Sequence, residues 1–388
     1  MNISEFESIT PYTDSEAVEA LARVARHPAT PVISKYLFPD YPAGTLRGML
    51  MSVDSIDEFQ DVVMSKVVRA ILLKTSKGLV YQGLEKLKGM NGKKFVLFSN
   101  HRDIILDPAI IQMVLNDSKI PFTDICVGSN LLSGQLVEDL LRSNRMIKVI
   151  RGISARELYL SSQLLSRYIR ESVTSGRSSI WIAQKEGRSK NGMDLTEQGL
   201  LKMFDLSGKS DFCTNFEELN IIPVCISYEL ESCDMRKAKE LYIKKKEGKY
   251  TKKKNEDLHS ILTGIRQLKG HINLTFCKPL QAGEIASAAE MKGNERYQAL
   301  MNVLDRRIVD AYKLWPNNFI AYDILDGGGK YSEFYTADQR REFIAYADHK
   351  LSKVPALQFN RDELRNVFYS IYANPIVHKE QLGLQVNL

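Results

Sequence analysis

KFVLFSNHRDIILDPAII, residues 94–111, is the stretch from which the fold can be read. Phe95, Val96, Leu97 and Phe98 form an unbroken apolar run, the texture of a strand buried on both faces. Ser99, Asn100 and His101 end it, and an apolar helical pattern, DPAIIQMVL, begins at Asp107. Asp107 followed by Pro108 reads as an N-cap with proline at the first helical position. Strand, polar turn and helix in that order are the repeating unit of a parallel sheet.

Five more β-type runs follow: ICVGSN (125–130), MIKVI (146–150), SSIWIAQ (178–184), IIPVCISYE (221–229) and HINLTFCKP (271–279). Helical stretches separate them, which predicts a mostly parallel sheet covered on both faces. The expected fold class is α/β, flanked by helices, with helical N-terminal and C-terminal additions. The divisions fall at 1–93, 94–282 and 283–388. Residues 14–90 read as helical throughout. DSEAVEALARVARH opens on an Asp/Ser cap, and SIDEFQDVVMSKVVRAILLKTSKGLVYQGLEKL keeps a helical period. On its wheel Met64, Val67, Val68, Ile71, Leu72 and Leu79 share one face, while Lys66, Arg69, Lys74 and Lys77 share the other. Such a helix lies either on a membrane surface or against the domain core. After Pro279 the pattern is helical again, interrupted at DGGGK (326–330), where Lys330 precedes Tyr331 instead of the Ser or Thr of a phosphate loop. That segment is expected to be a plain loop.

At 388 residues and 44% hydrophobic, the chain can bury a large core without disulfides. Cys126, Cys213, Cys225, Cys233 and Cys277 are odd in number and scattered, and read as reduced thiols of a cytosolic protein. The opening MNISEFESITPYTD carries no basic segment followed by an apolar one, so no secretory signal is expected. No apolar run nears the ~18 residues of a spanning helix, which leaves peripheral membrane contact. Net charge is +6, and residues 236–255, RKAKELYIKKKEGKYTKKKN, hold ten basic residues against Glu240 and Glu247. The excess fits an anionic partner or a solvated helix and loop. Only Tyr242 and Tyr250 are available there for stacking on bases, which argues against nucleic acid.

Three polar groups stand at strand ends, where α/β sheets place their sites. His101 ends the first run; an imidazole changes charge near neutral pH and serves as a general base when a carboxylate fixes its tautomer. Asp103 and Asp107 are the two candidates for that carboxylate. Arg151 follows MIKVI directly, and Glu186, Gly187, Arg188 and Ser189 follow SSIWIAQ. Arginines there suit a phosphate or carboxylate, held through a planar fork of donors.

These blocks, over about residues 95–280 and in this order, resemble the glycerophospholipid acyltransferase superfamily. His101 with Asp107 is similar to its His-x-x-x-x-Asp block, and Arg102 to the His-Arg start of the glycerol-3-phosphate type. Arg151 is similar to the arginine of its second block, and EGRSKNG to the third, Glu-Gly-(Gly or Thr)-Arg-Ser. IIPVCISYE is similar to the fourth. Five residues separate His101 from Asp107 where the family has four, and the third block is one residue short before Arg188.

The resemblance implies that His101 deprotonates an acceptor attacking an acyl thioester, carried by coenzyme A (acyl-CoA) or acyl carrier protein. Asp107 or Asp103 orients it, and Arg102, Arg151, Glu186, Gly187, Arg188 and Ser189 bind a glycerol-phosphate-type acceptor. It implies no metal, no cofactor and no covalent acyl-enzyme, and a place in phospholipid synthesis on the cytoplasmic face of a membrane. Two other readings stay open: acylation of amino-acid lipids on nitrogen or oxygen, and a non-catalytic lipid or carrier-protein binding module, which the altered spacing after His101 favours. A thioesterase or serine hydrolase is argued against by the lack of a G-x-S-x-G elbow.

Overall fold

The computed structural model describes residues 3–132, 134–151, 154–355 and 357–388. Its centre is a seven-stranded sheet in the order β1-β7-β6-β2-β5-β3-β4. The strands are β1 (Ser76–Gln82), β2 (Val96–Ser99), β3 (Thr123–Gly128), β4 (Met146–Val149), β5 (Ser179–Ala183), β6 (Ile221–Tyr228) and β7 (Gly270–Phe276). All neighbouring pairs run parallel except β6 and β7. The six runs expected from the sequence are the last six strands, and the fold is α/β as anticipated.

Alternate residues of β2 feed opposite cores, as the two-residue period of a strand requires. Val96 and Phe98 pack with Ile180, Ile182, Tyr168 and Ile169, and with Leu300, Leu304 and Ile308 of the helix Glu295–Asp310. Leu97 turns the other way, toward Trp181, Ile222, Val224, and Ile110 and Val114 of the helix Leu106–Asp117. The first core crosses the divisions drawn at 93 and 282, and the second crosses that at 93. Leu21 and Val68 join the second, while Leu304 and Tyr331 join the first.

One stretch departs from its expected form. The helix expected to run to residue 90 stops at Thr75, and Ser76–Gln82 pairs in parallel with β7. The Leu72-to-Leu79 spacing fits one more helical turn, but pairing satisfies the backbone edge that β7 otherwise leaves open. Gly83, with φ +87, lets the chain leave the sheet where a Cβ would collide with the Phe276 carbonyl. A π-helical turn at Phe59–Met64 also breaks the assumed wheel. In Ser65–Thr75 the apolar side, Val68, Ile71 and Leu72, is buried in the second core, with Lys66, Arg69 and Lys74 in water. That face covers the domain and is not available to a membrane.

The last helix reaches the loops that follow β5 and β6, where Asn374 donates to the Asn191 carbonyl and the Tyr372 hydroxyl accepts the Glu231 N–H. Arg361–Gln381 packs against Pro316–Asp326 and Asp234–Glu247. DGGGK is a loop: Gly327 closes the preceding helix in the left-handed region, and Lys330 pairs with Glu380.

Candidate active site

The carboxyl ends of β2, β5, β3 and β4 open on one cavity of about 350 Å³. His101 lies at its floor, its side chain 12% exposed and edge-on to the Trp181 ring. Nδ1 is 2.8 Å from Asp107 Oδ2. That same oxygen accepts the backbone N–H of Arg102 at 2.5 Å and of Asp103 at 2.8 Å. Oδ1 accepts the Tyr228 hydroxyl at 2.7 Å. Burial, then the Asp107 charge, pushes the Tyr228 phenol well above its usual range, so it remains a donor. With the carboxylate surrounded by donors, the network assigns the imidazole hydrogen to Nδ1. Nε2 then presents its lone pair, with no hydrogen-bond partner among the described residues.

The turn carrying His101 is clamped from three sides. Ser189 N–H donates to the His101 carbonyl at 2.7 Å, and Lys237 Nζ to the Arg102 carbonyl at 2.8 Å. Asn100, fully buried, donates to Asp194 and to the Ile226 carbonyl, and accepts the Ile226 N–H. A ring held this way loses little entropy on reaching a reactive geometry.

The two aspartates divide their work differently from the sequence expectation. The helix begins at Leu106, so Asp107 is its second residue and not its N-cap. Asp103 does the capping: Oδ1 accepts Ile105 N–H at 3.1 Å and Leu106 N–H at 2.9 Å, and Oδ2 accepts the Ser232 hydroxyl. With both oxygens turned into the fold, it does not reach His101. Asp103→Ala should therefore cost about 1–2 kcal/mol of stability, the usual value of a cap, seen as a lower urea midpoint. Turnover of the folded fraction should stay near that of wild type.

No family model matches the chain, and a search of curated proteins returns no match.

Two residues expected to bind the acceptor are turned away from the cavity. Arg102 is fully buried, reaching Asp194 at 2.6 Å, Glu231 at 3.3 Å and the Gly192 carbonyl at 3.2 Å, with its guanidinium over Tyr312. As the neighbour of His101 along an extended segment it points to the opposite side. Ser189 is also fully buried; its hydroxyl donates to the Met193 carbonyl at 3.0 Å. Both hold the site's frame and offer a ligand no surface.

Arg151, Glu186, Gly187 and Arg188 do line the cavity. Arg151 pairs with the exposed Glu186 at 3.3 Å and lies over Gly128, where a Cβ would come within 2.9 Å of the guanidinium. Gly187 takes φ +71, which an L side chain resists, and so turns the chain back toward Arg188. Lys185, Lys190, Lys244 and Lys252 complete a wall of six cations against Glu186, Glu197, Glu240 and Asp257. Lys190 is paired with Glu240 and Lys252 with Asp257. Among the described residues Lys185, Arg188 and Lys244 have no carboxylate partner, and Arg188 Nη1 is enclosed with no hydrogen-bond partner.

Cys126 is the cavity's sole thiol among the described residues, and burial pushes it far up, away from a reactive thiolate. No serine lines the cavity, and no group of three His, Cys, Asp or Glu side chains is placed to hold a metal, both among the described residues. No described helix is long and apolar enough to cross a membrane. Sequence reasoning missed Tyr228, Trp181, Lys185 and Lys237. Only Tyr228 carried a signal, being the polar end of an otherwise apolar run.

Proposed function

We propose that the chain is an acyltransferase of phospholipid synthesis. It moves a fatty-acyl group from coenzyme A or acyl carrier protein to a hydroxyl of a glycerol-phosphate-type acceptor. The observation that carries this reading is a carboxylate-oriented imidazole, its Nε2 open to a cavity walled by Lys185, Arg188 and Lys244, which have no carboxylate partners. Among the described residues that line the cavity there is no serine and no reactive thiol to attack the donor, which favours a base that activates the acceptor itself and a direct transfer. Nε2 takes the hydroxyl proton as the oxygen bonds to the thioester carbon. The C–S bond then breaks, and the thiolate recovers the proton from the imidazolium that Asp107 steadies.

Exposed Leu158, Tyr159 and Leu160, in the first turns of the helix that follows the Arg151 segment, support peripheral contact with a lipid surface. The unpaired Arg188 and Lys244 favour an acceptor bearing phosphate over an amino acid, whose ammonium group they repel.

Arg151→Ala should remove a charge-assisted contact worth about 1.5–3 kcal/mol. The acceptor's KM is then expected to rise by one to two decades, at about 1.4 kcal/mol per tenfold, with the donor's KM nearly unchanged. Lysine should restore only part of the loss, since a point charge lacks the fork. Thiol release from an acyl thioester, followed with glycerol 3-phosphate, its 1-acyl ester, glycine and ornithine, tests the proposal. Stimulation by a phosphate-bearing acceptor supports it; stimulation by glycine or ornithine alone replaces it with an amino-acid acyltransferase.

A further inference from the structure

β2 and β5 are parallel neighbours with Ser99 opposite Ala183. Gln184 N–H donates to the Ser99 carbonyl at 2.8 Å, which carries the pairing one residue further. Two positions on from that pair stand His101 and Lys185. Both line the cavity, from strands about 4.8 Å apart. Among the described residues the Lys185 ammonium has one partner, the Met193 carbonyl at 3.5 Å, and no ion pair. Burial draws it below the ordinary lysine range. Asp194, the carboxylate that offsets this burial most, is already engaged by Arg102 and Asn100. An ammonium with three donors, partly desolvated and nearly unused, stands beside the base.

We propose that Lys185 is a second catalytic residue, donating a hydrogen bond to the thioester carbonyl oxygen as that oxygen takes up negative charge. The inference rests on the acyl-transfer reading above. His101 Nε2 removes the acceptor proton, the new O–C bond forms, and the carbonyl π pair moves onto the oxygen facing Lys185. When the pair returns, the C–S bond breaks and the imidazolium protonates the sulfur. Lys185 keeps its protons throughout. Arg151, at the end of β4 and three places from β2 in the sheet order, is paired with Glu186 and suits the acceptor's anion instead. The position beside the base, and not charge alone, separates the two roles.

Preorganised donors of this kind act on the transition state, so their loss appears in kcat. Lys185→Met is expected to lower kcat by about 10²- to 10³-fold, with both KM values within about threefold of wild type. Lys185→Arg should retain more activity than Lys185→Met, because it keeps a cationic donor. Lys185→Gln, which keeps a neutral donor, serves if the methionine variant does not fold by circular dichroism. A folded variant with kcat within about threefold of wild type overturns the inference, as does a loss confined to the acceptor's KM, which makes Lys185 an anion-binding group. If wild type works on a phosphate acceptor while the Lys185 variants are unimpaired, only this inference falls. If wild type transfers no acyl group to any acceptor, the acyl-transfer reading falls and takes this inference with it.

Discussion

Replacing His101 by alanine is expected to lower acyl transfer by about 10²- to 10⁴-fold, the span of general base catalysis, and to leave the fold standing. The ring is edge-on to Trp181 and lines the cavity, so its removal enlarges that cavity without emptying a core. What it does remove is the imidazole that Asp107 orients toward the acceptor's proton. Asp107 cannot substitute, because its oxygens are already committed to Arg102, Asp103 and Tyr228. Steady-state turnover together with a thermal melt checks the expectation. Retention of more than about a hundredth of the wild-type rate in a folded variant would place the base elsewhere.

Asp107→Asn is expected to lower the rate by a large part of the same loss, within the span of about 10²- to 10⁴-fold of the base catalysis it supports. An amide can still accept the two backbone N–H groups through its oxygen. That oxygen is also the one facing Nδ1, so the tautomer is kept, but a neutral amide no longer steadies the imidazolium formed when Nε2 takes the acceptor's proton. Stability should change less than rate, because shape and most hydrogen bonds survive. The comparison with Asp103→Ala is the discriminating one, since the two carboxylates differ by four positions and act on different groups. Loss of turnover with Asp103→Ala, and near-normal turnover with Asp107→Asn, would reverse the assignment.

The six inner strands were legible because strands covered on both faces read as near-continuous apolar runs. β1 was not, because it is an exposed edge strand whose pairing is set by β7, nearly two hundred residues away. Three strand ends announced the site, since parallel strands carry their polar termini to one rim. The aspartates were harder. Pro108 fits any of the first helical positions, so the sequence drew the cap onto Asp107, while the helix begins a residue earlier and Asp103 reaches forward to cap it. Arg102 and Ser189 lie beside site residues in the chain, yet extended geometry and the turn after Gly187 send both inward. The lysine-rich run concealed three fates behind one composition. Lys237 is buried against Glu231, Lys244 and Lys252 line the cavity, and Lys246 pairs with Glu363 at the surface. No periodicity distinguishes these, because the partners come from other elements.

The most direct measurement mixes purified protein with a labelled acyl thioester, with and without glycerol 3-phosphate, and follows thiol release and acyl product together. Direct transfer through His101 requires one acyl ester for each thiol freed, release that depends on the acceptor, and loss of both in His101→Ala. Thiol release at the same rate without acceptor, with free fatty acid as the product, or equal activity in the His101→Ala variant, would contradict it.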